Sequence, residues 1–93
     1  MTALGTDTID FGAAPGTNTV SKTVACPGMT PEGYVEAYLQ GDSTADHNAY
    51  EHLTILAKEI SLVCQPATDA FEVWATTNLR LAGTIAFRYI GVV

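Results

Sequence analysis

From Leu81 to Tyr89 the chain alternates with period two. Leu81, Gly83, Ile85, Phe87 and Tyr89 fall on one face, and Ala82, Thr84, Ala86 and Arg88 on the other. Such a run cannot bury one face as a helix, but it can as a strand with one side on a core. The pattern recurs. Val20, Lys22, Val24 and Cys26 alternate with Ser21, Thr23 and Ala25, and Phe71, Val73 and Ala75 with Glu72, Trp74 and Thr76. Thirteen Thr, seven Val, five Ile and eight aromatic residues make 33 of 93 positions that suit a pleated surface.

Turn chemistry separates these runs. Gly12–Asn18, Cys26-Pro27-Gly28, Gln40–Ser43 and Gln65–Asp69 are rich in Gly, Pro, Asp and Asn, which supply unusual φ values or remove a donor. Strands are expected over about 7–11, 18–26, 33–40, 53–64, 70–77 and 81–91. The fold class is all-β: a small antiparallel sandwich or barrel-like domain of about six strands, with room for one short helical turn. That turn could start from Ser43 as a cap, since Ala45, Ala49, Leu53 and Leu56 recur near helical spacing. Residues 1–93 form a single domain, and 1–6 read as a flexible lead-in.

Charge narrows the partners. Four basic residues (Lys22, Lys58, Arg80, Arg88) face ten acids, a net charge of −6. No basic stripe can be built for nucleic acid, and an anionic membrane surface is disfavoured for the same reason. Glu32, Glu36, Asp42, Asp46 and Glu51 lie between Lys22 and Lys58 with no intervening cation. They read either as a solvated edge or as a docking face for a basic partner or a divalent cation, with Asp42, Asp46 and Glu51 on an exposed edge. No run approaches the roughly 18 apolar residues of a membrane span, and no leader-like apolar stretch opens the chain.

The densest polar cluster is Asp46-His47-Asn48-Ala49-Tyr50-Glu51-His52. Asp46, His47, Glu51 and His52 are the candidate interface or polar-cluster residues. On a helix His47 and Glu51 share a face and His52 points elsewhere, which is not the double-histidine spacing of a zinc helix. Ordering of a loop through backbone hydrogen bonds is the plainer reading, and no metal or cofactor is assigned. Ser43, His47 and Asp42 or Asp46 are triad residue types without a nucleophile elbow. The pair Glu32/Glu36 reads as solvated, and Cys26 and Cys64 as reduced, buried strand residues. No catalytic residue is assigned and enzyme activity is not expected. Tyr34, Tyr38 and Trp74 could present rings on sheet faces, although Trp74 with Phe71, Phe87 and Tyr89 could equally fill the core.

Three segments carry a resemblance: Thr8-Ile9-Asp10-Phe11-Gly12-Ala13-Ala14-Pro15-Gly16, Val35-Glu36-Ala37-Tyr38-Leu39, and Ser43-Thr44-Ala45-Asp46-His47-Asn48-Ala49-Tyr50-Glu51-His52. Together they resemble a group of short proteins encoded among the virion structural genes of tailed bacteriophages, with no assigned activity. The similarity runs from Thr8 to about Val93. In that group a glycine-rich segment often leads to a Phe-Thr-Ile strand, whereas Gln65-Pro66-Ala67-Thr68 leads here to Phe71-Glu72-Val73. The resemblance implies a virion part made in the host cytoplasm: a head-decoration, neck or tail-appendage subunit contacting other virion proteins. Residues 81–91 read as an unprotected edge strand, with Arg88 as their one charge and an apolar end in Tyr89-Ile90-Gly91-Val92-Val93, which predicts a homo-oligomer; the resemblance suggests a trimer, from the threefold positions of capsids and fibres. The alternative is a small lectin-like module of a tail fibre that binds host glycan through exposed Tyr and Trp.

Overall fold

The computed structural model describes residues 2–93. Six strands form two three-stranded antiparallel sheets, in the orders β1-β6-β3 and β2-β5-β4. They are β1 (Thr2–Asp10), β2 (Thr17–Ala25), β3 (Tyr34–Tyr38), β4 (Ile60–Ala67), β5 (Ala70–Leu81) and β6 (Thr84–Val92). The all-β sandwich expected from the alternation is the fold observed.

The sheets bury their period-two faces against each other. From β5 come Phe71, Val73 and Ala75, from β6 Ile85 and Phe87, from β1 Ile9 and from β2 Val24. Cys26 and Met29 close this core near Gly91 and Phe11 near Gly83, and Leu56 and Ile60 belong to it as well. Each fully buried large side chain contributes roughly 1.5–3 kcal/mol by leaving water. Tyr89 meets Phe71 edge-on, with ring centroids 4.9 Å apart. Its ring lies where a Cβ on Gly5 would be, so Gly5 is fixed by this packing. Where β1 passes β2, Lys22 donates to Asp7 Oδ1 (2.7 Å) and to the Thr8 carbonyl (2.8 Å), tying the sheets together.

Several expectations need correction. Of the supposed flexible segment 1–6, Met1 lies outside the described residues, and residues 2–6 pair in register with β6, from Thr2↔Val92 to Thr6↔Arg88. The expected strand 53–64 is helical as far as Glu59. Asn48 and Glu51 form a reciprocal capping box that starts a helical segment α1 (residues 49–59). Its middle, His52–Leu56, is a wider π-type turn. Strand β4 then runs on through Pro66, which an edge strand tolerates because its missing N–H can face away from the ladder. Leu81 ends β5 instead of opening β6, because Ala82 and Gly83 make the turn and Gly83 supplies a φ of +87°. Strand β6 is not an open edge: it is the centre of its sheet. Cys26 is buried just past β2, while Cys64 in β4 is only half-buried, and both are free thiols.

Candidate functional site

Strand β3 pairs with β6 only from Tyr38↔Arg88 to Tyr34↔Val92. The stretch Thr84–Phe87 therefore has β1 on one side and, among the described residues, no strand on the other. Buried backbone groups left without partners would cost about 1–3 kcal/mol each. The segment from Asp42 to His52 supplies the partners as side chains. Thr84 donates its N–H to Asp46 Oδ2 (2.8 Å), and its carbonyl accepts from Thr44 Oγ1 (2.6 Å). Ala86 donates its N–H to Nε2 of the fully buried His52 (3.0 Å). That ring therefore carries its proton on Nδ1, which donates to the Asn48 carbonyl (2.9 Å).

The local sequence explains this loop. Thr44 Oγ1 also accepts from the N–H groups of Asp46 (3.2 Å) and His47 (3.1 Å), and the Thr44 N–H donates to the His47 carbonyl (2.8 Å). Such side-chain-to-backbone turns are what Thr and Asp favour outside regular structure. One residue on, Asn48 accepts from the Glu51 N–H (2.9 Å), and Glu51 returns the bond to the Asn48 N–H (3.0 Å). Arg88 grips Asp42 with two bonds of 3.0 and 2.8 Å. This bidentate pair holds the Asp42 carboxyl below its ordinary range.

His47 sits at the N-terminal end of α1. Its Nδ1 lies 3.1 Å from Glu51 Oε2, and its Nε2 lies 2.8 Å from the Ala82 carbonyl. Burial alone would lower its pKa, but the Ala82 carbonyl, Glu51 and Asp46 outweigh it and the pKa rises. Glu51 moves down in turn, chiefly through its bond to His47. Beside this ring an open cleft of about 500 Å³ is lined by Asp10, Asp46, His47 and the Gly12 and Gly83 turns.

The four candidate residues thus come together around one strand end, but in different roles. His52 and Asp46 bond β6 backbone, whereas His47 bonds Glu51 and the β5–β6 turn, and Glu51 bonds His47 and the Asn48 N–H. Both ring nitrogens of His47 face acceptors, which leaves none to activate Ser43. Among the described residues no three His, Cys, Asp or Glu side chains converge as a metal site. The half-buried Cys64 thiol is pushed up chiefly by burial, against a lesser pull from the Ala37 amide, with a smaller push from Glu36. Of the acids expected on an exposed edge, Asp46 is exposed, but Asp42 and Glu51 are partly covered and already paired within the chain.

Sequence reasoning missed Thr44, Asn48 and the Asp42–Arg88 pair. The Asn48-x-x-Glu51 spacing is a recognisable capping signal. The partners Thr84 and Ala86 had none, because they bond through backbone. Of the aromatics, Trp74 is not in the core: its ring is 44% exposed on the outer face of β5, and its Nε1 donates to Glu72 (2.8 Å). Tyr34 and Tyr38 are exposed on β3, while Phe71 and Phe87 are fully buried. Comparison with protein-family models, curated proteins and solved structures finds no match to this chain.

Proposed function

We propose that this protein is a structural subunit of a tailed-phage virion, a head-decoration, neck or tail-appendage part, that works by protein–protein assembly as a homo-oligomer. The observation that carries this reading is the outer face of the β1-β6-β3 sheet. In register, Leu4, Ile90 and Glu36 form one row, and Thr2, Val92 and Tyr34 the next. Leu4 is 71% exposed, Tyr34 55% and Val92 50%. Such a cluster of large apolar side chains on one rigid sheet suits a protein contact better than water. The resemblance of the sequence to virion proteins supplies the setting. Mass spectrometry of purified particles tests it: the chain should be present in a fixed, integral copy number. Its absence from particles would overturn the virion reading.

A second reading is favoured by Trp74. Its indole is held by Glu72 and flanked in register by Ser21 and Val63, with Thr23, Thr76 and Gln65 on the same face. An exposed ring held among hydroxyl and amide groups can stack on a sugar while its neighbours bond the hydroxyls. Glycan-array binding abolished by Trp74→Ala would support this lectin-like role, and no binding would exclude it.

A further inference from the structure

His47 is the one side chain in the cover of β6 whose hydrogen bonds cannot all be made in its neutral form. A neutral imidazole has one N–H donor and one acceptor nitrogen. Both His47 nitrogens face acceptors, a Glu51 carboxylate oxygen at 3.1 Å and the Ala82 carbonyl at 2.8 Å. Only the imidazolium, with two N–H donors, satisfies both.

We propose that His47 is a protonation-operated latch, which as imidazolium clamps the first turn of α1 to the β5–β6 turn and as neutral imidazole releases one of the two. On release one ring proton goes to solvent, and an acceptor nitrogen is left facing an acceptor oxygen. The groups facing this ring all favour its charged form. Glu51 and Asp46 come from its own segment, and Asp10 reaches the same cleft from the end of β1. The β5–β6 turn contributes Ala82 and Gly83, which carry no titratable side chain, and the cleft lining holds no Lys or Arg. The neighbouring buried His52 is committed to Ala86 and Asn48. The raised pKa of His47 agrees with this geometry.

The latch matters because its segment is the cover of β6. Thr44, Asp46 and His52 hold Thr84 and Ala86 from the stretch that His47 anchors. Loosening it exposes strand backbone that another chain could pair with.

The sign follows from the raised pKa. The stabilisation is fully present below the ordinary histidine value of about 6.5 and is lost as pH rises through the higher folded value. The test combines two measurements on the intact chain. Nitrogen-15 shifts of the imidazoles at pH 5.5 should show both His47 nitrogens protonated. Hydrogen exchange of Thr84 and Ala86, corrected for intrinsic rates, should lose protection by about tenfold between pH 5.5 and 9, the equivalent of one charge-assisted hydrogen bond. In His47→Gln that pH dependence should vanish. A neutral His47 at pH 5.5, or protection in the wild-type chain that does not change with pH, would overturn the proposal. Neither result depends on the variant folding.

Discussion

The two sheets have three strands each, yet they are completed differently. In the β2-β5-β4 sheet the central strand has a backbone partner on both sides from Ala70 to Thr76. In the β1-β6-β3 sheet the five-residue β3 covers only part of β6, and Thr44, Asp46 and His52 finish the edge with side chains. The outer faces differ as well. One carries Ser21, Thr23, Thr76 and Gln65 around Trp74 and Val63, the other Leu4, Ile90, Val92 and Tyr34. A sheet finished by strands repeats one rule along its length, whereas a sheet finished by side chains depends on individual residues. Point substitutions should therefore separate the two.

The largest effect is expected at His52. His52→Ala removes a fully buried ring and orphans the Ala86 N–H, and should cost about 3 kcal/mol in denaturant midpoints at an unchanged m-value. Gly5→Ala should follow at about 1–3 kcal/mol, because the Tyr89 ring must leave its seat. Thr44→Val removes one donor and one acceptor while keeping volume, and should cost about 1–2 kcal/mol. Thr76→Ala, on the outer face of the other sheet, should stay within about 0.5 kcal/mol. Equal losses at Thr44 and Thr76 would break the comparison.

Much of the second sheet was legible, because Phe71, Val73 and Ala75 against Glu72, Trp74 and Thr76 give a clean alternation that backbone pairing preserves. The same alternation placed the inner face of β6 and missed its position, since period two is identical for a central and an edge strand. The segment 53–59 was misread because Leu53 and Ile55 look like strand residues, while the helix they join is set by the Asn48–Glu51 cap and by His52 reaching Ala86. The cluster 46–52 was visible as a cluster. Its purpose was not, because the groups it serves are backbone atoms of Thr84 and Ala86, some 35 residues away and of unremarkable sequence. Trp74 lay on the outward phase of its own alternation, so the core reading of that ring contradicted a pattern already on the chain.

Smaller effects sharpen the contrast by pH and by reactivity. Asp42 titrates low because Arg88 holds it, so its contribution is present above the ordinary carboxylate range and is lost as pH falls through its depressed value. Acid should therefore loosen the β6 cover from the Asp42 side, and Asp42→Asn should flatten the acid limb of a stability-against-pH curve. At the thiols, native alkylation at neutral pH should label the half-buried Cys64 slowly and Cys26 hardly at all, while denaturant without reductant should give two labels by intact mass.

Sedimentation equilibrium at micromolar concentration tests the assembly reading most directly, with the wild-type chain run beside Leu4→Glu and Val63→Glu. These substitutions place a charge on the outer face of one sheet and of the other. The wild type and Val63→Glu should sediment as an oligomer, with Leu4→Glu returning to the 9.8 kDa monomer. A wild-type chain that stays at 9.8 kDa, or a Leu4→Glu variant that still assembles, would contradict assembly through the β1-β6-β3 face.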